Sequence, residues 1–291
     1  MIPELSSCRH VQTHGGRIAV SAFGDGPPLL LLHGFPQSRM MWDAVASGLA
    51  DTRTLIIPDL PGYGDSDPPS DVEASSKRAV AASMVEMMQA LGYDRYDVAG
   101  HDRGARVAYR MALDHPERVA RLAVLDILPT SDYWARMDRA FGLKIYHWAF
   151  LAQPYPLPET LISGAEDFWL DWTLKSWTAA DSLACFEDQA MTHYRRNFHD
   201  PVRLRALCDD YRAGATIDVD HDLATRESGQ KIDAPTLVLW GASGIAQNAE
   251  TPLDAWRHWC SDVQGEPIRA GHFLPEENPA DTTDALARFF T

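Results

Sequence analysis

Short apolar runs recur along the chain at Arg17–Phe23, Pro28–His33, Arg53–Pro58, Tyr96–Gly100, Val119–Ile127, Thr236–Gly241 and Pro267–Ala270. Most are β-branched or Leu-rich, the pattern expected of strands buried on both faces of a mainly parallel sheet. Between several of them the apolar spacing changes to the helical period, over Lys77–Leu91, Arg103–Leu113 and Asp281–Phe290. This alternation predicts an open α/β sheet with helices on both faces. It breaks between Thr130 and Arg226, where the spacing stays helical, aromatics are frequent and no strand is evident. A loop of that length is implausible, so the segment is expected to be a helical insertion. It follows the Val119–Ile127 run, and ligands bind at the carboxyl ends of strands in such sheets, so it is expected to cap a site. The predicted organisation is a core of residues 1–129 and 227–291 with a helical cap over 130–226. No repeat or low-complexity tract is visible.

Composition narrows the function. Within 291 residues, 26 Lys plus Arg face 41 Asp plus Glu, a formal charge of −15. A nucleic-acid backbone or an anionic membrane surface is therefore a poor partner. The cysteines Cys8, Cys185, Cys208 and Cys260 stand in no metal-ligand spacing, and no metal or cofactor is expected. Reduced thiols, an N-terminal stretch Met1–His10 without a leader pattern and no apolar run long enough for a membrane span lead us to expect a cytoplasmic protein.

The most informative stretch is Tyr96-Asp97-Val98-Ala99-Gly100-His101-Asp102-Arg103-Gly104-Ala105-Arg106. A strand enters Gly-x-Asp-x-Gly and a helix leaves it, the nucleophile-elbow pattern with Asp in the serine position. With His33-Gly34-Phe35-Pro36 after an earlier strand and Asp59-Leu60-Pro61-Gly62-Tyr63-Gly64-Asp65-Ser66 after the next, the chain resembles the α/β-hydrolase superfamily. That resemblance implies a mainly parallel sheet flanked by helices, a helical cap after the sixth strand, and an oxyanion hole formed by the backbone amides of Phe35 and Arg103.

Aspartate in this place changes the chemistry. A carboxylate that attacks a saturated carbon leaves an alkyl ester beside the oxyanion hole, and water can then cleave it. Only that second step needs a base. Gly271-His272-Phe273 matches the family's catalytic His, whereas His258 falls in the helical run Leu253–Cys260 and reads as surface. The acid usually found in W-G-x-x-D is missing from Trp240-Gly241-Ala242-Ser243-Gly244. Asp126, at the carboxyl end of the strand before the cap, either orients His272 in its stead or caps the first turn of the insertion.

Arg103 and Arg106 are three residues apart on one face of the helix that follows Asp102. Two guanidinium forks there suit a second carboxylate, one that belongs to the substrate, which points to a 2-halo acid. With Leu125–Thr130, Tyr146-His147-Trp148 and Asp210-Tyr211-Arg212-Ala213, the chain resembles the haloacetate and fluoroacetate dehalogenases over essentially its whole length. The resemblance implies halide donors at His147, Trp148 and Tyr211, a pocket aromatic at Trp177, a small haloacid as partner and a homodimer. Tyr146, Ala149 and Pro61 depart from that family and imply altered packing at the halide side. Two other functions fit the same scaffold. An epoxide hydrolase would use Asp102 with a tyrosine pair, Tyr211 and Tyr146; a catalytically silent binding protein would bind its ligand without turnover.

Overall fold

A computed structural model describes residues 3–244 and 251–291. Met1 and Ile2, part of the N-terminal stretch read for a leader, lie outside the described residues. Eight strands form one sheet: β1 Arg9–Thr13, β2 Gly16–Phe23, β3 Pro28–Leu32, β4 Thr54–Pro58, β5 Tyr96–His101, β6 Val119–Leu125, β7 Thr236–Gly241 and β8 Val263–Ile268. Their order is β1-β2-β4-β3-β5-β6-β7-β8. The β1–β2 and β2–β4 pairs are antiparallel, and every other pair is parallel. This is the α/β-hydrolase arrangement expected from the resemblance.

Burial explains which strands the apolar pattern revealed. Residues of β5 are buried throughout and those of β3 nearly so, as parallel strands covered on both faces must be. The edges differ. β1, Arg-His-Val-Gln-Thr, is largely exposed and was not expected; counting it makes Val119–Leu125 the sixth strand. β8 spans Val263–Ile268 rather than Pro267–Ala270, because an edge strand needs only one hydrogen-bonded neighbour and tolerates the polar sequence Val-Gln-Gly-Glu-Pro-Ile. β6 stops at Leu125, two residues short of the expected end, so Asp126 stands just beyond the strand.

From Thr130 to Ser228 the chain forms eight helices and, among the described residues, no strand. Buried polar contacts fasten this helical segment to the sheet domain. The Lys77 ammonium meets Asp210, the Lys77 amide donates to Asp218 at 2.8 Å, and the Tyr109 hydroxyl donates to Asp222 at 3.0 Å. Such contacts add little net stability but fix which carboxylate meets which partner. No helix among the described residues is long and apolar enough to cross a membrane.

Strand order reverses between β3 and β5, which opens a crevice at their carboxyl ends. There the helix Arg103–Asp114 passes close beneath the end of β3. A Cβ on Gly104 would lie 2.4 Å from the carbonyl oxygens of Leu32 and His33, and one on Gly100 would lie 2.5 Å from the Gly104 carbonyl. Backbone is what blocks both positions, and it cannot rotate away. Gly104→Ala is therefore expected to destabilise the fold by about 3 kcal/mol, the upper range for forced overpacking, seen as a lower urea midpoint. An unchanged midpoint would contradict this packing.

Candidate active site

The turn between β5 and the Arg103–Asp114 helix forces Asp102 to φ 46°, ψ −114°. A left-handed φ in a residue with a Cβ costs energy and clusters at functional sites. Two backbone bonds hold it: the Asp102 amide donates to Leu125 O at 3.2 Å, and the Arg106 amide donates to Asp102 O at 3.1 Å. The carboxylate does not cap its own helix. Instead Oδ1 accepts from the Phe35 amide at 2.9 Å, and Oδ2 faces His272 Nε2 at 3.8 Å. Gly34 makes this possible, since a Cβ there would sit 2.5 Å from that of Asp102. The Arg103 amide is the first of its helix and has no carbonyl one turn back within it. Burial opposes ionisation of Asp102, but the charges of His272 and Arg103 outweigh it and hold the carboxyl well below the usual range.

His272 stands between β8 and the short helix Leu274–Glu277. Its Nδ1 is 2.6 Å from Asp126 Oδ2. Asp126 itself adopts φ 54°, and its Oδ1 accepts from the Gly241 amide at 2.9 Å. Gly244 occupies the last place of the W-G-x-x-D pattern, and a Cβ there would be 3.0 Å from Asp126 Oδ1. The acid from β6 thus stands beside the position left by the acid missing after β7. His272 is buried, which alone would lower its pKa, yet Asp126 and Asp102 raise it above an ordinary imidazole. His101, unremarked in the sequence, contacts the His272 carbonyl through Nε2 at 2.7 Å and is held neutral by burial, its pKa pushed down to about 3. His258 is exposed.

The two arginines differ in their commitments. Arg106 donates through one nitrogen to Leu128 O and Thr130 Oγ1, both at 3.0 Å. Arg103 is fully buried, yet none of its three nitrogens finds an acceptor in hydrogen-bond geometry. Its guanidinium lies 3.5 Å from the ring centre of Tyr211 and 4.8 Å from that of Trp148. Gly214 leaves it room, since a Cβ there would be 2.9 Å from Nη1. Asp210 Oδ2 approaches Nε to 3.7 Å; burial disfavours the charge, but Asp210 and its neighbours keep Arg103 strongly cationic.

A cavity of about 60 Å³ opens over Asp102 and His272, with His147, Trp148 and Trp177 on its wall. Tyr133 and Lys144, not expected from the sequence, also line it. Tyr211, Arg103 and Arg106 are not on this wall; the guanidinium of Arg106 lies 4.5 Å from the Trp148 ring centre. His147 packs 4.3 Å from Trp177 and 5.7 Å from Tyr211 between ring centres. Burial drives its pKa far down, so it is a neutral imidazole, and its Nδ1 has no partner. Tyr146 is not in the cavity. Its side chain lies with Phe168 and Trp172 in an outer groove, 38% exposed, which removes it as the second tyrosine of an epoxide site. Among the described residues no group of three or more His, Cys, Asp or Glu could hold a metal ion.

Comparison with known proteins gives the chain's family. Residues 27–279 match the family model of the alpha/beta hydrolase fold. A fluoroacetate dehalogenase from Burkholderia sp is 39% identical over 273 residues, covering 92% of this chain and 88% of that protein. A soluble epoxide hydrolase from Corynebacterium sp. (strain C12) is 32% identical over 95% of this chain and 94% of that protein. The crystal structure of a candidate alpha/beta hydrolase from Nostoc sp PCC 7120 superposes with a TM-score of 0.94 at 45% identity, covering 98% of each chain.

The Asp126–His272 pair makes a pH prediction. A folded-state pKa raised by two carboxylates means that His272 loses its proton only above pH 6.5, the unperturbed value. An NMR titration of the His272 ring is expected to give a midpoint above 6.5 in the wild type and a lower one in Asp126→Asn. A wild-type midpoint at or below 6.5 would contradict the arrangement.

Proposed function

Because the chain belongs to the α/β-hydrolase fold family, we propose that it is a hydrolase that converts a 2-haloacetate, fluoroacetate or chloroacetate, to glycolate and halide through a covalent ester on Asp102. The observation that carries this reading is Arg103, a buried cation with no hydrogen-bond acceptor, one residue from an aspartate in the nucleophile position. A buried guanidinium left unmatched is costly. The carboxylate of a haloacid supplies the missing acceptor, and Arg106 adds positive charge beside it. Neutral haloalkanes would leave Arg103 without an acceptor.

The positions of Asp102, His272 and the Phe35 amide support the following steps. Asp102 Oδ2 attacks C2 of the haloacid, the C–O bond forms as the carbon–halogen bond breaks, and the halogen leaves with the bonding pair. His147, Trp148 and Tyr211 offer N–H and O–H groups to the departing ion. Such donors matter most for fluoride, which gives up a strong hydration shell. The ester now has Oδ1 as its carbonyl oxygen, and Oδ1 already accepts from the Phe35 amide. One preorganised donor of this kind is worth about 3 kcal/mol as charge develops on that oxygen.

Alkylation also prepares the base. Once Asp102 is an ester, its negative charge no longer favours imidazolium, so His272 gives up its proton more readily than in the free enzyme. Neutral His272 takes a proton from water through Nε2 while the water oxygen adds to Cγ of Asp102. Expulsion of the alkoxide, which takes the proton from His272 to give glycolate, leaves Asp102 as a carboxylic acid, and loss of the second water proton to solvent regenerates the carboxylate. Asp126 holds the ring so that Nε2 faces the ester.

The soluble epoxide hydrolase relative supports a second reading, since such an enzyme would use the same Asp nucleophile. The same assays separate the two. Wild type is expected to release halide from fluoroacetate and chloroacetate and to leave styrene oxide unchanged. His272→Asn is expected to trap a carboxymethyl ester on Asp102, visible by intact mass. Arg103→Gln should raise KM by roughly 30-fold, the loss of about 2 kcal/mol from a charge-assisted pair. Turnover of styrene oxide without halide release would replace the dehalogenase reading with the epoxide one.

A further inference from the structure

His272 is fixed at its ring by Asp126, but what places its backbone is a different carboxylate. The Gly271 amide donates to Glu277 Oε2 at 2.9 Å, and the Phe273 amide donates to Glu277 Oε1 at 2.9 Å, so one side chain spans the residues on either side of His272. The same Oε2 accepts from the amide of Ala179, in the helical segment, at 2.7 Å. A fourth bond runs alongside, from the His272 amide to Trp177 O at 2.9 Å. Gly271 allows the two backbones to meet, because a Cβ there would lie 2.5 Å from both Ala179 N and Trp177 O. Trp177 in turn lines the cavity over Asp102.

We propose that Glu277 is a positioning residue that ties the Trp177–Ala179 segment, of which Trp177 and Thr178 line the cavity, to the His272 loop, and so governs hydrolysis of the ester rather than its formation. This rests on the dehalogenase reading above. None of the groups assigned to the first step, Asp102, Arg103, Arg106, His147, Trp148 and Tyr211, bonds to Glu277. The second step depends on where His272 Nε2 stands relative to water and Cγ of Asp102, and a displacement of about 1 Å can cost about 100-fold in rate. The ionised carboxylate serves three N–H donors; a neutral amide in its place has one acceptor oxygen and sets N–H against N–H. Its charge also contributes to the raised pKa of His272.

The test compares the two half-reactions in Glu277→Gln with chloroacetate. Alkylation followed by rapid quench should stay within about twofold of wild type, while ester hydrolysis slows on the order of 10- to 100-fold. The carboxymethyl enzyme should then dominate at steady state by intact mass. The acid limb of kcat should move to lower pH, an effect that a loss of stability alone would not produce. Ala179→Pro removes only the donor from the helical segment, and Thr178, extended at φ −77°, ψ 151°, accepts a following proline; it should shift the balance in the same direction by a smaller factor. Equal slowing of both steps, or fast hydrolysis without adduct, would overturn the proposal. If wild type releases no halide and His272→Asn forms no adduct, it is the dehalogenase reading that fails. Amide exchange then still decides the role of Glu277. The amides of Ala179, Gly271 and Phe273 should exchange faster together in Glu277→Gln while that of Arg106 does not change, and unchanged exchange at all three would overturn the tie.

Discussion

The site depends on one tight turn, in which Asp102 holds a left-handed backbone between β5 and the helix that follows. Such strain costs on the order of 1–3 kcal/mol and persists only where the surroundings over-determine it. Here they do. Glycines at 100 and 104 let the helix press against the end of β3, and Leu125 O and the Arg106 amide hold the peptide groups of Asp102. The turn denies Asp102 the role of helix cap and aims its carboxylate into the crevice between Phe35 and His272. The same turn brings Arg103 to the first position of the helix, so the Asp102 carboxylate and the Arg103 cation are set by one piece of backbone. Asp126 repeats the device at the end of β6, where a left-handed φ takes its side chain out of the sheet toward His272.

Electrostatics in this site is local. The chain carries −15 overall, yet Lys144 lines the cavity and the buried Arg103, Arg106 and Lys77 lie behind its wall. Screening over about 8 Å at physiological salt separates the field of the surface from the field of the pocket. Asp210 shows how the balance is kept. It meets Lys77, accepts from Tyr63 at 2.8 Å and stands 3.7 Å from Arg103, close enough to keep the guanidinium charged but without a hydrogen bond to it. That leaves the donors of Arg103 unspent.

Much of this was legible in the sequence, and the exceptions have physical causes. Strands buried on both faces, such as β3 and β5, must be apolar and announced themselves; the edge strands β1 and β8 need not be, and one was missed and the other misplaced. The elbow was legible because tight backbone approach demands glycine at 100 and 104. Asp126 was found because a carboxylate next to an apolar run asks for a partner, though the end of β6 was set two residues too late. Tyr133, Lys144, His101 and Glu277 carried no such signal. Their importance lies in contacts between segments far apart in the chain, and an ordinary Glu at the end of a short Leu-Pro-Glu-Glu helix gives no sign that it receives three backbone amides. Tyr146 failed in the opposite way, since adjacency to His147 on a helix places it on a different face.

The central claim is that an oxygen of Asp102, not of water, makes the new bond to carbon. A single turnover of chloroacetate by excess enzyme in oxygen-18 water tests it most directly. The account predicts glycolate whose hydroxyl oxygen is unlabelled, together with one oxygen-18 in the peptide that contains Asp102. Label in the hydroxyl of first-turnover glycolate, with Asp102 unlabelled, would mean that water displaces the halide directly and would contradict the account.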